Sequence, residues 1–374
     1  MKFSVNASEL NKALAVVSKA ISPKSSLPIL ECVYIKADSK EHKIFLKGSD
    51  GDFSIITKIP AIVYIEGEIV CQVKKLMDIV KTYSEGNIEF FVDEKNVIKF
   101  SCDYNTINSD VTLLGRNAME YPPIEIYPQG NIRLSSSLMK SLIKETVFAC
   151  AINDASAPIL TGMLVEIGGG NIRFSALDGY KMAIRTEEIE NTEISLRCVV
   201  PARTMSELLR IIGIYEYDVF IATDDRKIII DVGTDTQIIS NLLIGDFINC
   251  EALIPKDINT VINLDTNELA RSVDRCALIN DSISSSMVRM EFEDDSLTIY
   301  SRSEIGHIVE GMKVQKSGED VSIAFNSRYL LEILKNLSDE RVILEIKNRT
   351  NPALLKPVDS DKYLYLIMPV RYVD

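Results

Sequence analysis

No property of the 374-residue chain limits its fold as much as a unit that recurs three times at the spacing of a whole domain. Three segments, Asn6–Ser22 ("NASELNKALAVVSKAIS"), Ser135–Ala151 ("SSSLMKSLIKETVFACA") and Asp265–Asn280 ("DTNELARSVDRCALIN"), share one grammar. Each opens on Asn, Ser or Asp, whose side chains accept hydrogen bonds from the first free amides of a helix. Each then carries apolar residues at i, i+3, i+4 spacing. Aligning Leu10, Leu138 and Leu269 sets the copies 128 and 131 residues apart. A second helical pattern recurs in Val73–Tyr83, Pro201–Gly213 and Asn326–Ser338, with Leu76, Met205 and Leu330 in register at offsets of 129 and 125 residues.

Between the two helices of each copy the sequence alternates apolar and polar, broken by turn residues such as "GGGN" (Gly168–Asn171) and "EDDS" (Glu293–Ser296). Alternation of period two marks half-buried strands, and the turns join them as antiparallel hairpins. The pattern continues after the second helix, as in "YDVFIATDDRKIIIDVG" (Tyr217–Gly233), which turns at "DDRK". The period far exceeds that of a solenoid, so the repeat is a domain. The expected fold is α+β: three repeated domains, each with two helices and antiparallel sheets. Pro-bearing stretches at Met119–Gly130 and Asn249–Asp257 mark the joins, giving domains 1–125, 126–253 and 254–374.

Net charge is −13, which taken alone argues against a nucleic-acid partner, because an acidic surface repels phosphate. The charge is segregated, however: the helical stretches Ala7–Ile21, Val73–Tyr83, Ser135–Ala151, Pro201–Gly213, Thr266–Ile279 and Asn326–Ser338 together carry +6 and the remainder −19. The positive residues are Lys12, Lys19, Lys74, Lys75, Lys81, Lys140, Lys144, Arg203, Arg210, Arg271, Arg275, Arg328 and Lys335. For any one helix these read as a solvated outer face. Their recurrence in all six reads instead as one helix-tiled surface that tolerates a polyanion. Such contacts reach phosphates without reading bases and weaken with salt. No zinc finger, aromatic RNA-binding pattern or basic run accompanies them.

Catalytic chemistry is not legible. Seven scattered cysteines without a Cys-x-x-Cys pair read as reduced, buried side chains, and two histidines, His42 and His307, sit in no metal-ligand spacing. "SDGD" (Ser49–Asp52) and "LDGY" (Leu177–Tyr180) have "SRSE" (Ser301–Glu304) as their third counterpart, so Asp-Gly is read as a turn and not a shared acidic site. No catalytic group, metal or cofactor is expected, and the chain reads as a binding protein. With no apolar run approaching a membrane span and no apolar signal segment, no membrane partner is expected, and the expected location is the cytoplasm.

In order along the chain, "MKF" (Met1–Phe3), "LPIL" (Leu27–Leu30), "LTGMLVE" (Leu160–Glu166), "LDGYKMA" (Leu177–Ala183), "FNSRYLLEIL" (Phe325–Leu334) and "YLIMPVR" (Tyr365–Arg371) resemble the bacterial DNA polymerase III beta subunit, the sliding clamp. The resemblance covers essentially the whole chain. It implies three domains of the DNA-clamp fold forming half of a ring, closed as a head-to-tail homodimer around duplex DNA. The implied role is that of a DNA polymerase processivity factor without catalytic activity, opened by an ATP-driven loader. Lys24 and Asn153 match DNA-contacting positions, joining Lys12, Lys74, Lys75, Lys81, Lys140, Lys144, Arg203, Arg210, Arg271 and Lys335 of the helices. Leu278 and Ile279 match the subunit contact, although they also read as the buried end of a helix.

The resemblance further implies a groove between domains two and three for peptides of the replicative polymerase alpha subunit, the clamp loader and other proteins carrying clamp-binding motifs. The matching positions are Ile159, Leu160, Leu177, Gly179, Met182, Ile248, Leu253, Asn326, Tyr329, Pro352, Leu366, Met368, Pro369, Val370 and Arg371. An apolar pocket with a few polar groups suits an extended peptide with apolar anchors. Departures cluster here: Ala157 stands where an Arg is frequent, and "GDFINCEA" places Asp246, Ile248, Cys250 and Ala252 in a stretch that is otherwise basic at its end. Val373 and Asp374 extend the C-terminus. These changes support the alternative of a divergent paralogue acting as a specialised peptide-binding scaffold. The terminal run is expected to be a strand, Tyr363–Met368, ended by Pro369.

Overall fold

The computed structural model describes residues 1–83, 85–104, 107–190, 194–214, 217–279 and 286–372. Asn280, Val373 and Asp374 of the sequence reading lie outside the described residues. Along the chain one order of elements occurs three times: a strand, a helix, a run of strands, a second helix and three strands. The first copy is β1 (Lys2–Asn6), α1 (Ala7–Val17), β2 (Cys32–Asp38), β3 (Lys43–Ser49), β4 (Phe53–Pro60), β5 (Ile62–Ile65), β6 (Gly67–Gln72), α2 (Val73–Val80), β7 (Asn87–Val92), β8 (Val97–Tyr104) and β9 (Ile107–Leu114). The second is β10 (Ile132–Leu134), α3 (Ser136–Lys144), β11 (Gly162–Gly168), β12 (Asn171–Leu177), β13 (Lys181–Glu188), β14 (Leu196–Pro201), α4 (Ala202–Ile212), β15 (Val219–Thr223), β16 (Lys227–Val232) and β17 (Thr236–Asn241). The third is β18 (Thr260–Asp265), α5 (Thr266–Ala277), β19 (Met287–Glu293), β20 (Ser296–Ser303), β21 (Gly306–Lys313), β22 (Gln315–Gly318), β23 (Val321–Asn326), α6 (Ser327–Asn336), β24 (Arg341–Ile346), β25 (Ala353–Pro357) and β26 (Tyr363–Ile367).

The helix starts follow the capping chemistry. Asn6 accepts from the amides of Ser8 and Glu9, Asp265 from Glu268, Asn326 from Arg328, and the Ser135 hydroxyl from Leu138. These caps correct the sequence register. The residue four after the cap is Leu10 in the first copy and Leu269 in the third, both buried, but in the second it is buried Met139 and not half-buried Leu138. The copies of the first helix are therefore 129 and 130 residues apart. The helices are also shorter than their periodic patterns: beyond Val17 and Lys144 the chain tightens into 3-10 turns at Ser18–Ala20 and Val147–Ala149. "GGGN", "DDRK" and "EDDS" form hairpin turns, with Gly168 opposite Asn171, Thr223 opposite Ile228 and Glu293 opposite Ser296.

The chain divides into two compact units. The first comprises Met1–Met139 with Glu207–Leu242. It contains a five-stranded sheet in the order β5-β1-β7-β8-β9 and an eight-stranded sheet in the order β10-β15-β16-β17-β4-β3-β2-β6. Phe3, Phe90 and Phe100 stack in series at 4.8 and 5.7 Å, and α1 packs on α2, β3 and β4. Gly48 is required by that packing, because a Cβ there would lie 2.7 Å from Val17 Cγ1 of α1.

The second unit comprises Lys140–Ser206 with Leu243–Asp374. Its sheets are nine-stranded, β14-β11-β12-β13-β26-β25-β24-β18-β22, and four-stranded, β21-β20-β19-β23. Here α5 packs on α6, β20 and β21, burying Leu269, Val273, Leu330 and Ile333 against Phe292, Ile299 and Phe325. Within each copy the first strand pairs with the strand after the second helix. The outermost middle strand then joins the next copy: β4 pairs with β17, and β13 with β26, all antiparallel. Two long sheets are thus each built from two copies.

Candidate functional site

In the second unit the chain brings most of the expected groove residues together. The 3-10 turn Pro158–Thr161 presents Ile159 outward and Leu160 inward, closed by the Leu160 amide donating to the Ala157 carbonyl at 3.0 Å. Between β12 and β13, Asp178 Oδ1 accepts from the amides of Tyr180 and Lys181, and Gly179 takes the left-handed φ of +86° that this tight turn needs. Met182 faces Leu366 across the β13–β26 pair. Leu160, Leu177, Met182 and Leu366 then share one buried cluster with Phe247, Cys250 and Leu354, with Ile159 and Ala157 packed against it.

Around this floor stand apolar side chains that remain open: Ile248 is 42% exposed, Leu253 41% and Met368 38%. After β26 the Met368 amide donates to Tyr180 O at 2.8 Å, Pro369 bridges Phe325, and the Val370 amide donates to Ala324 O at 2.7 Å. The strand thus ends at Ile367, one residue earlier than its apolar pattern, and the next three residues are fixed beside Tyr180, Phe325 and Ala324. Pro352 is half-buried just before β25, Asn326 serves as the cap of α6, and Arg371 is exposed.

Tyr329 lies flat against Tyr180, ring centroids 5.4 Å apart, and Lys181 Nζ sits 4.7 Å from the Tyr329 centroid. Burial pushes the Lys181 ammonium down, but Asp178 and Glu332 outweigh it and hold the group above its ordinary value. Lys181 is therefore a fixed cation under the aromatic pair. Tyr180, Lys181 and Phe247 were not singled out by the sequence reading. "LDGYK" and "GDFIN" contain them, but only the pairing of β13 with β26 shows which side chains meet the rest. The departures are also placed: Asp246 and Ala252 are exposed, while burial pushes the Cys250 thiol up to about 11, so that it stays uncharged beside the Arg173–Glu251 pair.

The basic positions lie on or beside the six helices. Lys24, Lys74, Lys75, Lys144, Arg203 and Arg271 are exposed, Lys140 is half-buried, and Asn153 is exposed with a left-handed φ of +52°. Lys12, Lys81 and Arg210 are drawn onto Glu9, Asp78 and Glu207 one turn away, and Lys335 reaches Asp274 at 3.4 Å. Such surface pairs are weak and exchange readily. Leu278 projects into solvent at 77% exposure, and Ile279 covers Gly306 at the start of β21, the edge strand of its sheet among the described residues. Among the described residues no His, Cys, Asp or Glu cluster could hold a metal, and no helix is long and apolar enough to cross a membrane.

A strand-helix-strand unit repeated three times, with sheets fused from copy to copy, defines a triplicated DNA-clamp fold. Family models for the N-terminal, central and C-terminal domains of the DNA polymerase III beta subunit match residues 1–125, 133–249 and 251–371. The beta sliding clamp of Staphylococcus aureus is 28% identical over 382 residues, covering 99% of each chain. The crystal structure of the Bacillus subtilis DNA polymerase sliding clamp superposes with a TM-score of 0.94 at 27% identity over 100% of both chains. That of the Streptococcus pyogenes beta subunit gives 0.92 at 26%, again over 100% of both. The chain belongs to the DNA polymerase III beta subunit family: it is a sliding clamp, a non-catalytic processivity subunit of the replicative polymerase.

Proposed function

We propose that two copies close head to tail into a ring around duplex DNA, with clamp domains 1–125, 126–253 and 254–374 in each. One observation carries this reading. Inside the chain, the outer middle strand of one copy pairs with the last strand of the next, β4 with β17 and β13 with β26. Applying the same rule once more leaves β21 of the third copy and β9 of the first, both eight residues long and both at sheet edges. An unpaired edge is a template for another strand, and two different surfaces that complement each other make a head-to-tail contact. Leu278 and Ile279 beside β21 supply its apolar margin. Light scattering at micromolar concentration should give twice the 41.8 kDa chain mass. A monomer that also leaves polymerase processivity unchanged with a loader present overturns the reading.

DNA is held by Lys24, Asn153 and the helix residues Lys12, Lys74, Lys75, Lys81, Lys140, Lys144, Arg203, Arg210, Arg271 and Lys335, through phosphates and without sequence preference. Enclosure supplies retention, so these contacts need only be weak. The residues Ile159, Leu160, Leu177, Gly179, Met182, Ile248, Leu253, Asn326, Tyr329, Pro352, Leu366, Met368, Pro369, Val370 and Arg371 receive extended peptides of the polymerase alpha subunit, the loader and other partners. The uncharged side chains of Ile248 and Cys250 favour partner peptides that present apolar side chains on that side.

A further inference from the structure

The first unit contains a second groove of the same construction, and we propose that it binds an extended peptide segment with an apolar anchor flanked by basic residues. The inference rests on the peptide-groove reading of the second unit, because the two share a 3-10 turn, an Asp-Gly turn and the strand contact beside it. The 3-10 turn Pro28–Glu31 repeats Pro158–Thr161, with the Leu30 amide donating to Leu27 O at 2.9 Å. Asp50 Oδ1 accepts from the amides of Asp52 and Phe53 as Asp178 Oδ1 does from Tyr180 and Lys181, and Gly51 takes a φ of +106° where Gly179 takes +86°. The Asn241 amide donates to Asp52 O at 2.9 Å, as the Met368 amide does to Tyr180 O.

The side chains on this shared frame differ. Ile239 stands at the position of Leu366, but Ser54 replaces Met182, Asp52 replaces Tyr180 and Asn241 replaces Met368. A cavity of about 470 Å³ results, within the range of roughly 300–1,000 Å³ that ligand sites occupy. Leu27, Leu30, Pro123 and Ile239 form its apolar side, and Asp52 and Glu125 its acidic side. Lys227 also lines it, but its ammonium donates to the Tyr127 hydroxyl at 3.0 Å, which in turn donates to Glu125. The Asp52 carboxylate accepts from the Asn241 side-chain amide at 2.9 Å as Glu125 does from the Tyr127 hydroxyl; neither donor is charged, so two carboxylates against one ammonium leave a net negative lining that attracts a basic segment and repels an acidic one. The groove therefore selects a different peptide class from the apolar groove of the second unit.

The test is fluorescence anisotropy on the full chain with fluorescein-Ser-Arg-Leu-Leu-Arg-Ser-amide and its counterpart with Glu for Arg. Saturable binding of the Arg peptide should weaken about tenfold, roughly 1.4 kcal/mol, in Leu27→Ser and in Asp52→Lys, and be unchanged in Ile248→Asp. Both Leu27 and Asp52 are exposed, so the variants keep the fold. No saturable binding, equal binding of the Glu peptide, or loss in Ile248→Asp alone overturns the proposal. A peptide bearing the clamp-binding motif of the polymerase alpha subunit, run in parallel, reports separately on the groove of the second unit. If that peptide fails to bind while the Arg peptide behaves as expected, the reading of the second unit falls and this one stands.

Discussion

At the scale of single residues, two kinds of side chain decide the outcome: those that fix the frame and those left open to a partner. Glu145 and Arg185 are a frame pair, buried and joined at 2.7 Å, with the Arg185 guanidinium also donating to the carbonyls of Thr186 and Lys362. Burial holds the Glu145 carboxyl above its usual value despite Arg185. Glu145→Ala removes one of the two carboxylates on that guanidinium, the other being that of Glu187, and is expected to cost about 1–3 kcal/mol in urea unfolding. Ile248, by contrast, is open, and Ile248→Asp should leave unfolding unchanged while weakening a clamp-binding peptide by about tenfold, an apolar anchor contact of roughly 1.4 kcal/mol, in anisotropy. The groove positions named from the sequence rest on a family pattern, since nothing local ties Leu177 to Leu366. It did not show Tyr180 or Lys181, whose role follows from the stacking of Tyr180 on Tyr329. The register slip at Leu138 has a local cause: Leu138 and Met139 are both apolar, and only the cap at Ser135 distinguishes them.

At the scale of elements, the six helices and the hairpins were legible, because caps, periodicity and turn residues act over a few positions. The fusion of sheets was not, since β4 with β17 and β13 with β26 pair residues about 180 positions apart, and alternation specifies a face but not a neighbour. The consequence for function lies in the two edges left over. Leu278→Lys places a charge on the margin of β21 without touching the core, so the prediction is a folded monomer by light scattering, with thermal unfolding of the chain little changed. The paired lysines of α2 make an equally specific case. Lys74→Glu with Lys75→Glu should weaken duplex binding similarly for all sequences and flatten its dependence on salt, measured from about 50 to about 200 mM salt.

At the scale of the whole molecule, the account joins three properties: a triplicated fold, a net positive charge on the helices of an acidic protein, and the apolar side chains of the second unit that we propose receive peptides. The apolar run Tyr363–Pro369 belongs to the third of these, as β26 and the residues that bridge Phe325 and Ala324. Removing Met368–Asp374 is expected to abolish binding of clamp-binding peptides and leave the proposed dimer intact, because Met368–Tyr372 belong to neither β9 nor β21. The central claim is enclosure of DNA, and its most direct measurement compares retention on closed and open templates. After loading onto nicked circular duplex, the protein should remain bound through gel filtration in high salt and be released when a restriction enzyme linearises the circle. Equal loss from circular and linear DNA, or equal retention on both, would contradict a ring that holds DNA by topology.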